Sequence, residues 1–126
     1  MRLEDLVKEW VERGMSDLAS AEYLMGMRPR PLEIIAFHCQ QAVEKCLKAY
    51  LVSKGEEPDR THDIGFLLTL TERFDPAFAS LVPGCVALTD YAVKLRYPGA
   101  TVIDETAVVS AISEAKAAVA LVQTKL

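Results

Sequence analysis

One segment, from Leu32 to about Lys54, sets most of what this chain can fold into. At about 100° per residue, Ile35, Ala36, Cys39, Ala42, Val43, Cys46, Leu47, Tyr50 and Leu51 cover roughly half the circumference of a helix. A helix so widely apolar cannot lie on a surface by one edge; it has to pack against more than one neighbour. The remaining arc gathers His38, Gln41, Glu44, Lys45 and Lys48 into one polar stripe, and Gly55 follows as a helix-ending residue.

The rest of the chain supplies those neighbours. Leu3, Leu6, Val7, Trp10, Leu18, Ala21 and Met25 recur at three- and four-residue steps, which predicts an amphipathic helix over residues 3–25. Gly14 inside it is either a weak point or a place of close helix contact. Pro29 and Pro31 then stop the helix. Thr61 or Asp63 is placed to cap a short third helix that ends near Arg73. Asp75-Pro76 starts another helical stretch, Pro83-Gly84 should interrupt it, and residues 85–95 are expected as the solid part of a fourth helix. After a turn at Arg96-Tyr97-Pro98-Gly99, Asp104 caps a last helix with Ala107, Val108, Ala111, Ile112, Ala115, Val119 and Val122 on one side. No segment alternates with a period of two between hairpin turns. The expected fold is therefore all-α, an up-and-down bundle of four to five helices forming one domain over residues 1–126. Trp10, Tyr23, Phe66 and Phe74 are assigned to its core or to an interface.

Charge and cysteine content narrow the function classes. The net charge of −4 argues against a sequence-blind nucleic-acid binder, which needs a basic face. The sign is uneven, however: residues 28–60 carry Arg28, Arg30, Lys45, Lys48, Lys54 and Arg60, and this is the better place for an anion site. Cys39, Cys46 and Cys85 are odd in number; Cys39 and Cys46, two turns apart on one helix, lie roughly 10 Å from each other along its axis and cannot bridge. Three reduced, largely buried thiols are the expectation. A charged N-terminus unlike a signal peptide, and no apolar run near the roughly twenty residues that cross a bilayer, lead to a cytoplasmic protein with no membrane span. Two histidines and no Glu-x-x-His pair make a metal-dependent bundle hydrolase a poor fit, so no metal or other cofactor is expected.

Three sequence elements together resemble one family. They are Phe37-His38-Cys39-Gln40-Gln41-Ala42-Val43-Glu44-Lys45-Cys46-Leu47-Lys48-Ala49-Tyr50-Leu51; then Gly55, Pro58, Arg60-Thr61-His62-Asp63-Ile64 and Leu67-Leu68; then Tyr91 with Arg96-Tyr97-Pro98-Gly99. In this order and spacing the chain resembles the HEPN (higher eukaryotes and prokaryotes nucleotide-binding) family. The resemblance implies a helical bundle, commonly a homodimer, often encoded beside a minimal nucleotidyltransferase in a two-component, toxin-antitoxin-like module. Relatives that cleave RNA carry an Arg, four to six residues, and then a His. Here Arg60 and His62 are two apart and no His follows Arg96. The leading expectation is a nucleotide-binding or partner-binding domain with no catalytic residue of its own; the alternative is a metal-independent ribonuclease toxin acting as a dimer.

The candidate ligand-binding residues fall into three groups. His38, Gln41, Lys45 and Lys48 could line up as an anion ladder, the lysines meeting phosphate and the amide a base edge or sugar. Arg60 and His62 stand at a helix start, where free N–H groups favour anions. Arg96 and Tyr97 could close the site, a guanidinium on phosphate and a ring on a base. Each group has a structural alternative: a solvated helix face with an ordinary Glu44–Lys48 pair, helix capping, and the anchoring of a turn.

Overall fold

The structure, a computed structural model, describes residues 2–57, 60–93 and 103–126, and every element among them is helical. Three long helices form the frame: α1 (Leu3–Leu24), α2 (Leu32–Ser53) and, last in the chain, α6 (Glu105–Lys125). Between α2 and α6 lie α3 (Ile64–Glu72), a 3₁₀ turn at Pro76–Leu81, α4 (Val82–Cys85), a 3₁₀ turn at Val86–Leu88 and α5 (Thr89–Val93). No helix among the described residues is long and apolar enough to cross a membrane.

The width of its apolar arc puts α2 at the centre. Fourteen of its 22 residues are buried, and it touches α1, α3, α5 and α6, most extensively α1 and then α6. Trp10 meets Lys48, Gly14 meets Cys46 and Asp17 meets His38, so α1 and α2 run antiparallel. Gly14 is the point of closest approach. A Cβ there would stand 2.6 Å from Cys46 Sγ and 3.1 Å from the carbonyl oxygen of Ala42. The glycine that weakens α1 locally is thus what lets the two helices meet.

The helix ends follow local chemistry. Gly55 takes φ +84° beyond α2, and the amides of Gly55 and Glu56 return to the carbonyls of Val52 and Leu51. Asp63 caps α3 by accepting from the amide of Phe66 at 3.1 Å, and Thr61 Oγ1 in turn accepts from the amide of Asp63. Asp104 accepts from Ala107 at 2.8 Å to open α6, and Asp75 does the same for the Pro76 turn through Ala77.

The expected fourth helix is corrected. Residues 85–93 are not one continuous helix but the end of α4, a 3₁₀ turn and α5. Pro83-Gly84 does not interrupt the chain there; it lies inside α4. Proline fits because a helix's first turn leaves its N–H groups unpaired in any case. Gly84 fits because the carboxylate of Glu114 on α6 fills the space a Cβ would occupy.

Of the aromatics assigned to core or interface, Tyr23 is 85% exposed, and Phe66 and Phe74 are exposed too, so the core half of the assignment does not hold for these three. The core aromatics among the described residues are Tyr50 and Phe78, with ring centroids 4.6 Å apart. All three cysteines are free and buried, as expected, and burial pushes each thiol up to about 12.

Candidate functional site

The polar side of α2 does not face open water. Because α1 lies along it, the polar stripe is divided between two carboxylates. Asp17 of α1 is the first: Oδ1 pairs with His38 Nδ1 at 2.8 Å, and Oδ2 accepts from Lys45 Nζ at 2.6 Å. Glu44 of α2 is the second, and it is almost wholly buried. Its Oε2 accepts from Lys48 Nζ at 3.1 Å, while Oε1 accepts from Gln40 Nε2 at 3.0 Å and meets His62 Nδ1 at 2.8 Å. Each carboxylate therefore joins one lysine to one imidazole, and each imidazole uses Nδ1.

Lys48 is buried along with Glu44, and its ammonium stands 5.7 Å from the centroid of the Trp10 ring. A buried ammonium needs such a partner set, since an unpaired charge in the interior costs several kcal/mol. Gln40 is the residue that sequence reading missed. It is fully buried, donates to Glu44 Oε1 and to the backbone carbonyl of His62 at 3.2 Å, and accepts from Gln41 Nε2 at 2.7 Å. The signal was there: Gln40 lies four residues after Ala36 and three before Val43, inside the apolar arc, and an amide in that place must find partners. No buried side-chain nitrogen or oxygen among the described residues lacks one.

Between α1 and α2 a recess of about 380 Å³ is lined by Leu6, Glu9, Trp10 and Arg13 on one side and Glu44 and Lys45 on the other. Arg13 is paired with Glu9 at 2.9 Å. His38 lies elsewhere, on a shallower hollow with Ser16, Ser20 and Tyr23. Of the candidate residues, Lys45 lines the recess, Lys48 and His62 bind Glu44 at its edge, and Gln41 orients Gln40. Arg60 is exposed on the segment leading into α3, two residues before His62. Arg96 and Tyr97 lie outside the described residues.

The basic surplus of residues 28–60 is largely used by the fold itself. Arg28 donates to the carbonyls of Met25 and Met27 after α1. Arg30 donates to Met25 O and pairs with Glu105 at 2.6 Å, and Lys54 lies over the Tyr50 ring. Arg60 alone of the six has no partner among the described residues. The site is consequently close to charge-balanced, with fixed donors and acceptors around an indole wall.

The described residues thus form an all-α bundle whose polar groups are built into its most buried helix, with no group of three or more His, Cys, Asp or Glu side chains among them placed to hold a metal. The chain belongs to the HEPN family: residues 7–125, nearly its whole length, match the HEPN domain. No curated protein matches the chain closely enough to be called a relative.

Proposed function

We propose that this HEPN domain binds a nucleotide, that it is not a catalyst on its own, and that it works as a homodimer beside a minimal nucleotidyltransferase in a two-component module. The observation that supports the reading is the recess itself: a preformed hollow of about 380 Å³, within the range of small-molecule sites, with Trp10 and Leu6 for a base to rest on and polar groups already fixed at its edge. Its charges are mutually paired, so it suits the uncharged base and sugar better than a long polyanion. Arg60, exposed and without a partner among the described residues, is the group available to phosphate.

The test is the melting temperature of the purified chain with each of the four ribonucleoside triphosphates. A ligand at ten times its Kd adds about 1.4 kcal/mol, which for a domain of this size moves the midpoint by roughly 4–6 °C. At least one triphosphate should do so, and Trp10→Ala should abolish the shift. No shift with any nucleotide, together with no association with a nucleotidyltransferase encoded beside the chain, would sink the proposal. One observation favours the ribonuclease alternative: the exposed His62 ring is backed by a buried carboxylate, an arrangement that general bases use. RNA cleavage in the presence of a chelator, lost in His62→Ala, would replace the binding reading by that one.

A further inference from the structure

The hydrogen bonds around Glu44 decide which nitrogen of His62 carries the proton. Besides His62, Glu44 meets Lys48 Nζ on Oε2 and Gln40 Nε2 on Oε1. Both are donors only, so the carboxylate is an acceptor towards each of them, and towards Nδ1 at 2.8 Å as well. Nδ1 therefore holds the proton of the neutral ring, which leaves a lone pair on Nε2. The ring cannot easily turn over. Doing so would strip a buried carboxylate of one of its donors, and Gln40 pins the same residue through its backbone carbonyl. Yet the His62 side chain is 57% exposed, and Nε2 has no partner among the described residues. A buried acid, a buried ammonium and a buried amide are thus spent on orienting one surface imidazole, which capping or packing of the loop does not require.

We infer that Glu44 is a positioning residue that locks His62 in the Nδ1–H tautomer and turns Nε2 outward as a hydrogen-bond acceptor, so that the ligand atom received there carries a proton. This rests on the nucleotide reading above and sharpens it. The neutral imidazole repels the lone pairs of a phosphate oxygen and accepts from a sugar hydroxyl. His62 is then a reader of the ribose, and phosphate recognition falls to other groups.

Two measurements on the full chain test the inference separately from the nucleotide reading. Long-range proton–nitrogen spectra of the unliganded protein, at a pH where the ring is neutral, should show His62 protonated at Nδ1 and bare at Nε2. In the double variant Glu44→Gln, Lys48→Met, which removes the buried charges as a pair, His62 should relax towards a mixture of tautomers. A wild-type ring protonated at Nε2 overturns the lock, and that spectrum decides it even if the variant does not fold. In the second measurement, a ribonucleoside triphosphate that shifts the melting temperature is compared with its 2′,3′-dideoxy counterpart. The dideoxy form should bind about three- to tenfold more weakly, the worth of one hydrogen bond, and the double variant should lose the difference. Equal affinities in the wild type overturn the hydroxyl assignment while the nucleotide reading stands. If neither nucleotide binds, the nucleotide reading falls and takes the hydroxyl assignment with it, and the tautomer spectrum still rules on the lock.

Discussion

At Cys39, Cys46 and Cys85 the interior of the bundle acts directly on chemistry. Each thiol is fully buried, and loss of water is the main cause that pushes it up to about 12 from the usual 9; the nearby Glu22, Asp17 and Glu114 respectively add to it. A neutral thiol suits that environment and a thiolate does not. The consequence for stability has a definite sign. In the unfolded chain the thiols ionise as pH passes 9, while in the folded chain they hold their protons, so the unfolded state binds fewer protons and gains on the folded one. The stabilisation is complete below pH 9 and erodes from there towards 12, by on the order of 1 kcal/mol per thiol for each pH unit. Urea midpoints at pH 8, 9 and 10 should fall across this range, and the fall should be shallower in Cys39→Ala or Cys85→Ala. A midpoint flat to pH 10 would show that the thiols are not held neutral. The same burial keeps the cysteines out of the proposed binding, which falls to the recess beside Trp10 and to His62, held by Glu44 at its edge.

Helix pairing shows how one small residue fixes the position of a site. With α1 held against α2 at Gly14, Asp17 reaches His38 and Lys45 one turn further on, and Trp10 reaches Lys48 one turn back. Gly14→Ala should improve the intrinsic helix propensity of α1 by up to about 1 kcal/mol. It should nevertheless destabilise the protein, by roughly 1–2 kcal/mol net, because overpacking against the Cys46 sulfur and the Ala42 carbonyl costs about 1–3 kcal/mol. Adding Cys46→Ala to Gly14→Ala should recover part of the loss, and chemical denaturation of the four proteins of that cycle measures the coupling. A Gly14→Ala protein more stable than wild type would mean that the helices do not touch there. The same contrast explains what was readable beforehand. The long helices and their caps depend on spacing and neighbours within a few residues, so Asp104 and Gly55 announce themselves and the third cap is narrowed to Thr61 or Asp63. Within the succession of short turns from Pro76 to Val93, the glycine at position 84 makes room for Glu114 arriving from α6, which no local pattern records. Among the candidate site residues, the types and the helix were legible. Their partners were not, because Asp17 is 28 positions before Lys45 and becomes its neighbour only when α1 folds back.

For the molecule as a whole, the short elements between α3 and α6 have little regular helix to hold them, and pairs at both ends of α6 tie it to distant chain. Near its start Glu105 pairs with Arg30 of the α1–α2 connection, and at its end Lys125 pairs with Asp75 at 2.9 Å, ahead of the Pro76 turn. Asp75 has two tasks, since it also accepts from the amide of Ala77. The hydrogen bond from Lys125, followed by that amide, holds its carboxyl below the ordinary value of 3.8. For a depressed carboxylate the stabilisation is present above the ordinary pKa and disappears as pH falls through the folded one. Asp75→Asn keeps an oxygen for Ala77 and removes only the charge, so it isolates the link to α6 from the cap. The variant should be less stable than wild type at pH 7, and the two should converge as pH drops below about 3.8. Because both side chains are partly open to water, 1 M salt should narrow the gap at pH 7 as well. Urea midpoints at pH 7, 5 and 2.5 check this. A gap that persists unchanged at pH 2.5 would show that it does not come from the charge paired with Lys125 and leave the end of α6 held by apolar packing.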